Sequence, residues 1–249
     1  MSGHSKWATI KHQKGAKDAK RGKLFAKLAR QIEVSAREGG GDPGSNASLR
    51  TAVLKAKAGQ MTKELIDRAI KRGSGGDDGG TYEAIMYEGY APGGVALMVD
   101  TLTDNRNRTG SNIRTIFSKL GGSMAEPGAV GWQFSRRGVV MIDGSVDEDT
   151  LTMAALDADA DDVTRDGDDW RVLCAPNHVY DLQAALEAAG IKVNSAESTM
   201  VSSLDVEVTD IVYVRKILRI MDALEDDDDV QDVYSNFDIS DQLMEMAGE

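Results

Sequence analysis

The sequence predicts a mixed α/β (α+β) protein built from three parts. Of its 249 residues, 41% are hydrophobic and 28% are charged, which is typical of a folded chain with one large domain or a few small ones. Apolar residues recur at helical spacing before residue 73 and in strand-like runs after residue 82. We therefore expect an N-terminal three-helix bundle, a discontinuous α/β domain and a third domain inserted into it.

The first 75 residues contain the three predicted helices. In residues 23–38, Leu24, Leu28 and Ile32 follow one another at four-residue steps, which indicates one buried stripe on an amphipathic helix. A second helix over residues 45–57 and a third between the N-cap Thr62 and Gly73 have similar stripes. Their expected buried residues are Leu49, Ala52, Val53 and Ala56 in the second helix, and Leu65, Ile66, Ala69 and Ile70 in the third.

A glycine-rich stretch, residues 73–80, separates this bundle from the next part, because five glycines and no apolar side chain favour a linker. Residues 82–103 predict a hairpin around an Ala-Pro-Gly-Gly turn, and residues 106–120 predict a helix that ends at Gly121. The apolar stripe of that helix comprises Ile113, Ile116, Phe117 and Leu120. These elements form the first half of the discontinuous domain.

Residues 138–201 alternate in the order β-α-β-β-α-β, which is the ferredoxin-like arrangement. The strand near 205–208, the helix around 214–224 and the strand at 232–239 have no core of their own, so we expect them to return to the sheet of residues 82–134. The predicted division is 1–75 for the bundle, 80–134 plus 204–239 for the discontinuous domain, and 135–203 for the insert.

Charge is distributed very unevenly along the chain. The formal net charge is −12, yet residues 1–73 hold 17 Lys and Arg against 6 Asp and Glu, while residues 74–249 hold 12 against 35. A basic end on an otherwise acidic chain indicates contact with nucleic acid. The alternative is a solvated basic tail.

The opening segment is the principal candidate for that contact. Its cations are spaced around a single acid, Asp18, and an aromatic side chain lies among them. Phosphates require spaced cations, and an exposed indole stacks on unpaired bases. The candidate residues are Lys6, Trp7, Lys11, Lys14, Lys17, Lys20, Arg21 and Lys23.

A second candidate lies at the start of the helix predicted for residues 106–120. Arg106 and Arg108 would sit where free backbone N–H groups already favour anions. In the alternative interpretation these arginines pair with neighbouring carboxylates, and Asp104 or Asn105 caps the helix.

Other chemistry has little support in the sequence. Asp157, Asp159 and Asp161 have calcium-loop spacing, but Asp162 occupies the position that requires glycine. The acidic run at 225–229 is interpreted as a solvated loop. Cys174 ends an apolar strand and is expected to be buried and inert.

We expect no enzyme activity and no cofactor, because no nucleophile–base pairing or nucleotide-binding glycine motif is present. The longest aliphatic run is residues 95–99, far below the roughly 20 residues of a membrane span. The lone cysteine and the absence of a signal-like apolar region lead us to expect a cytoplasmic protein.

Several long strings resemble one known family. They are GHSKWATIKHQKGAKDAKRGKLFAKLARQI at the start, YEGYAPGGVALMVDTLTDNRNRT in the middle and DVQDVYSNFDI near the end. In these strings the chain resembles the YebC/PmpR family. That resemblance implies the same three-domain fold and, for Lys6 to Lys23 and for Arg106 and Arg108, a role in nucleic-acid contact.

The resemblance also implies a function. Family members are described as cytoplasmic transcriptional regulators that bind DNA, and some as translation factors that act on ribosomes stalled at proline-rich stretches. We therefore expect a non-enzymatic, DNA-binding transcriptional regulator. The alternatives are a ribosome-associated translation factor that binds ribosomal RNA and, in a different class, a protein-binding adaptor whose basic patch docks on acidic surfaces.

Overall fold

The computed structural model describes residues 17–75 and 81–248. The helices are α1 (Lys17–Gly39), α2 (Ala47–Ala58), α3 (Lys63–Ser74), α4 (Arg106–Leu120), α5 (Glu148–Asp157), α6 (Val179–Ala188), α7 (Ile211–Glu225) and α8 (Asp241–Gly248). The strands are β1 (Glu83–Tyr90), β2 (Ala96–Thr103), β3 (Ser123–Ala125), β4 (Phe134–Ile142), β5 (Asp162–Asp166), β6 (Asp169–Cys174), β7 (Val193–Ser202), β8 (Val206–Glu207), β9 (Val230–Ser235) and β10 (Phe237–Asp238). The predicted α/β (α+β) class is confirmed.

The helical bundle packs α1 against α2 and α3. Its core contains Leu28, Ile32, Leu49 and Ile66, which are at most 4% exposed, because apolar side chains at three- and four-residue steps share one helix face. Asn46 caps α2 by accepting a hydrogen bond from the Leu49 N–H at 3.0 Å. The four residues predicted to be buried in α2 all lie in this core.

Leu24 is an exception to the predicted stripe. It is 42% exposed, so its predicted burial is wrong, although its spacing from Leu28 is helical. The buried core of the bundle begins one turn later, at Leu28. Periodicity identifies a face of a helix, but only the neighbouring elements determine how far along the helix that face is covered.

Gly73 lies inside α3, where the sequence predicted the helix to end before it. Gly73 is buried, and a Cβ atom added there would lie 2.8 Å from the Cβ of Ala36 and against the carbonyl oxygen of Glu33. The missing side chain lets α1 and α3 approach closely. Helix propensity alone penalises this glycine, and tertiary packing compensates for that penalty.

The central sheet has the strand order β3-β1-β2-β9, and its pairs are antiparallel. The predicted hairpin is therefore confirmed. Strand β9 of the last segment returns to this sheet as expected, whereas the predicted strand near 205–208 (β8) does not join it. Helices α4 and α7 cover one face, where Leu97, Val99, Phe117, Ile217 and Val233 are fully buried. Gly121 ends α4 in the left-handed conformation with φ 90°.

The β-α-β-β-α-β segment forms a second antiparallel sheet, with the strand order β5-β6-β4-β7. Its core of Val140, Leu151, Val172 and Leu182 is fully buried. This arrangement confirms the ferredoxin-like prediction. Strand β4 begins at Phe134, a few residues earlier than predicted.

The C-terminal strands differ in detail from the expectation. The predicted strand at 232–239 is divided into β9 and β10, and β10 pairs in parallel with β8 in a separate two-stranded sheet. Asn236 lies at the division: its side-chain oxygen accepts from the Ala96 N–H at 2.7 Å, and its amide donates to Gln133 at 3.0 Å. The bond from Ala96 ties Asn236 to β2 of the central sheet, and the bond to Gln133 ties it to the turn that precedes β4.

The packing supports the predicted division at 1–75, 80–134 plus 204–239, and 135–203, which stays a prediction. Each of the three groups contains its own buried cluster. In the part of the chain that the structure describes, no helix is long and apolar enough to span a membrane.

We predict that Gly73→Ala lowers the free energy of unfolding by about 1–3 kcal/mol, because the new methyl group overpacks the contact between α1 and α3. Gly22→Ala is the matched control, since nothing lies within 4 Å of its added Cβ, and it should be neutral or slightly stabilising. Urea unfolding, with hydrogen exchange of the α1 and α3 amides, measures both effects. Equal stability of the two variants would contradict the packing argument.

Candidate nucleic-acid interface

The structure describes only part of the predicted interface. Lys6, Trp7, Lys11 and Lys14 lie outside the described residues. Lys17 and Lys20 belong to the first turns of α1, and Arg21 and Lys23 follow on the same helix as exposed side chains. Arg106 and Arg108 lie in the first turn of α4. The structure thus places the described candidates on two helices.

Helix α1 directs three successive cations towards residues 225–229, which we call the acidic turn. The Lys23 amine lies 3.3 Å from the Asp226 carboxylate and donates to its carbonyl oxygen at 3.1 Å. The Lys27 amine donates to the Glu225 carbonyl at 2.5 Å. Because these cations are three and four residues apart, they lie on one helix face.

Arg30 is the third of these cations, and its side chain is 20% exposed. Its guanidinium donates to the Asp228 carbonyl at 2.9 Å, to the Leu102 carbonyl at 2.9 Å and to the Asp229 carboxylate at 3.0 Å. One arginine therefore connects the bundle to both β2 and the acidic turn. Arg30 also stacks on the ring of Tyr82, 4.9 Å from its centroid.

The Asp229 carboxylate is the centre of this arrangement, and the Asp229 residue is only 4% exposed. Besides Arg30, it accepts from the Arg108 guanidinium at 2.6 Å, from the Thr109 hydroxyl at 2.7 Å and from the Thr103 hydroxyl at 3.3 Å. Burial by itself would raise the pKa of Asp229, but the bonds from Arg108 and Thr109 and the two arginine charges hold it below its usual value. Asp229 is thus a fully compensated buried anion.

The arginines at the start of α4 are paired with carboxylates. Arg108 contacts Asp104 at 2.8 Å as well as Asp229, and these bonds raise its pKa above the ordinary value. Arg106 lies 3.5 Å from Glu83 and is 69% exposed. Asn105 caps α4 by accepting from the Arg108 N–H at 3.1 Å. The sequence left open the alternative that these arginines pair with carboxylates and that Asp104 or Asn105 caps the helix, and the structure has this geometry. Arg106 is more exposed than Arg108.

The solvated-loop interpretation of residues 225–229 is wrong for Asp229. An acidic run at the C-terminus of α7 opposes the helix dipole, and the structure supplies the compensating cations from α1. The carbonyls of Glu225 and Asp228 are among the groups that a helix end and its following turn leave free, and Lys27 and Arg30 bind them. Sequence reasoning missed this pairing because about 200 residues separate the partners.

A second polar contact joins the bundle to the opposite face of the central sheet. The Lys55 amine of α2 lies 2.7 Å from the Asp232 carboxylate, which stands directly across from Asp100 in the β2–β9 pair. Burial and the neighbouring Asp232 charge raise the pKa of Asp100 to about 6, against the lowering effect of Arg136 and Lys55. The negative charges of Asp100 and Asp232 therefore lie close together and are only partly offset by Lys55 and Arg136.

Several basic side chains of the bundle remain exposed to solvent. They are Lys57, Lys63, Arg68 and Lys71 on α2 and α3. Arg21 on α1 is exposed as well. Exposed cations suit contact with a phosphate backbone, because such contacts depend on positive charge and carry no sequence information.

The Cys174 and His178 side chains have structural surroundings. Burial raises the pKa of Cys174 to about 11, consistent with the predicted inert thiol. His178 contacts the Ala158 carbonyl at 3.0 Å and so serves the local structure. Within residues 17–75 and 81–248, no group of three or more potential ligands could hold a metal ion.

We predict that Asp229→Ala destabilises the protein by about 2–4 kcal/mol, because Arg30 and Arg108 lose a buried partner. Asp104→Ala, which removes the half-exposed partner of Arg108, should cost less than about 1 kcal/mol. Chemical denaturation of both variants measures the difference. Similar losses would show that Asp229 is not the centre of the contact.

We predict that Asp100→Asn stabilises the protein by about 1–2 kcal/mol at pH 7.5. A carboxyl with a raised folded-state pKa binds more protons when folded, so stability falls as pH rises from about 4 to 7. Because Asn does not ionise, the Asp100→Asn variant should lack the part of this loss of stability that comes from Asp100. Thermal unfolding between pH 5 and 8 provides the measurement, and parallel curves for variant and wild type would contradict it.

Comparison with known proteins adds independent information. The model described as the TACO1/YebC protein N-terminal domain matches residues 5–76. The model described as the TACO1/YebC second and third domain matches residues 82–237.

Curated relatives match over the full length. A probable transcriptional regulatory protein of Rubrobacter xylanophilus is 55% identical and covers 100% of both chains. One of Geobacter sp. (strain M21) is 50% identical over 98% of this chain and 99% of its own.

A crystal structure of a conserved hypothetical protein from Aquifex aeolicus has a similar fold. It matches with a TM-score of 0.77 and 41% identity, covering 90% of this chain and 93% of its own. The order of elements, the two family matches and the full-length relatives agree, and this chain belongs to the TACO1/YebC family.

Proposed function

We propose that this protein is a non-enzymatic regulator that binds nucleic acid, with DNA as the main target and transcription as the process it controls. The observation that carries the proposal is the excess of cations in residues 1–73 of an otherwise acidic chain. The names of the relatives support it, because full-length proteins at 50–55% identity are called probable transcriptional regulatory proteins. We propose a cytoplasmic location for the same reasons.

The residues of the proposed contact surface fall into two groups, which we call its centre and its margin, according to whether they contact carboxylates of the protein itself. Lys6, Trp7, Lys11, Lys14, Lys17, Lys20 and Arg21 form the centre, since no described acidic group is paired with Arg21 and the others are grouped with it in sequence. Lys23, Arg106 and Arg108 form the margin, because each contacts a carboxylate of the protein itself. Nucleic acid must compete with those carboxylates for the margin.

A ribosome-associated translation factor is the second candidate. Cations and an indole bind structured RNA as readily as DNA, because phosphate contacts carry no sequence information. The protein-binding adaptor has one structural observation in its favour: Lys23 and Arg30 already contact acidic groups of a protein surface, namely this protein's own.

Binding measurements on the full chain distinguish these candidates. Short duplex DNA and purified ribosomes are titrated across a salt series from 50 to 200 mM. If roughly six cations neutralise phosphates, affinity should fall about a thousandfold over this range. Preference for ribosomes at physiological salt would favour the translation factor, and no binding to either would favour the adaptor.

We predict that Lys14→Glu combined with Lys17→Glu weakens nucleic-acid binding by at least tenfold at low salt, because two phosphate contacts become repulsive. The thermal stability should be unchanged. The control is Lys119→Glu with Lys192→Glu, which changes the net charge equally at two exposed positions outside the basic segment. Fluorescence anisotropy with labelled duplex DNA measures both variants, and an unchanged affinity of the first would count against the opening segment.

A further inference from the structure

The contact between α1 and the acidic turn has a buried end and an open end. At the buried end, the Arg30 and Asp229 side chains are 20% and 6% exposed. At the open end, the Lys23 and Asp226 side chains are 48% and 71% exposed. Exposed ion pairs contribute little to stability, whereas a buried pair is costly to separate. The open end is therefore the part that another anion can displace.

The open end adjoins the proposed nucleic-acid surface. Lys17, Lys20 and Arg21 precede Lys23 on the same helix. At 1.5 Å per residue, Lys17 and Lys23 are only about 9 Å apart along the helix axis. The Debye length at physiological ionic strength is about 8 Å. Lys20 and Arg21 are within about 5 Å of Lys23 along the axis, so phosphates bound there are coupled electrostatically to Lys23 and to the Asp226 carboxylate that it contacts.

Two residues of the acidic turn, Asp226 and Asp228, are exposed to solvent. Asp226 makes the exposed contact with Lys23, and Asp228 is exposed while its backbone carbonyl binds Arg30. Asp227 and Asp229 instead serve the turn itself: the Asp227 carboxylate accepts from the Asp229 N–H at 2.9 Å and from Asn112 at 3.1 Å. The charges of Asp226 and Asp228 can thus be removed without dismantling the turn.

We propose that the acidic turn competes with nucleic acid for the cations of α1. The negative charges of Asp226 and Asp228 would thereby lower the affinity of α1 for nucleic acid. This inference rests on the proposed function. A polyanion that engages α1 takes Lys23 from Asp226, while Arg30 and Asp229 keep the bundle attached to the central sheet.

The test compares Asp226→Asn/Asp228→Asn with wild type for binding to labelled duplex DNA and to ribosomes. We expect about three- to tenfold tighter binding at 50 mM salt, with the difference shrinking as salt screens the charges. The matched control is Asp159→Asn/Asp168→Asn, which changes the net charge by the same amount at two exposed turns of the ferredoxin-like part. Circular dichroism establishes that each variant is folded.

The outcomes separate the two proposals. Tighter binding by the first variant alone supports competition by the acidic turn. Equal tightening by both variants shows that net charge alone acts, and unchanged binding by the first variant shows that the turn does not compete; either result overturns the inference while leaving nucleic-acid binding intact. If neither wild type nor variant binds DNA or ribosomes, the proposed function fails and the inference fails with it.

Discussion

A buried carboxylate that must be compensated organises the centre of this molecule. Asp229 is almost entirely removed from water, and an uncompensated charge in that position would be very unfavourable. Two arginines and two threonines supply the missing hydrogen bonds, from α1, β2 and α4. The need to satisfy one anion therefore fixes how the helical bundle, the central sheet and α4 are arranged around the end of α7.

The contact between α1 and the acidic turn also brings some of the chain's opposite charges together. Cations of the basic N-terminal part meet acidic groups of the remainder there. The acidic turn follows α7, where the helix dipole disfavours negative charge, and cations of α1 offset that effect. In this contact the Lys23–Asp226 pair is exposed to solvent, whereas the Arg30–Asp229 pair is largely buried. The basic surface that we propose as the phosphate contact can thus coexist with a net charge of −12, because some of the acids are held in a defined place.

Most of the fold follows from local sequence patterns. The hairpin, α4 and the ferredoxin-like insert have strong periodicity and glycine stops, and they appear where the patterns predict them. The differences occur where tertiary contacts override local preference. Gly73 continues a helix because another helix lies against it, Leu24 is exposed because the core starts later, and Asn236 divides a strand by bonding to the central sheet.

The sequence alone determined the fold class and the separation of charge along the chain, because these depend on composition and on spacing over a few residues. It also determined the family resemblance, which depends on long strings of residues in order. Only the tertiary structure decided which charges are available. Arg30 and Asp229 lie 199 positions apart, and Arg108 and Asp229 lie 121 apart, so no local pattern reveals either pair. Ion pairing acts over a few ångströms in space and is independent of chain distance, and it therefore becomes visible only after the chain has folded.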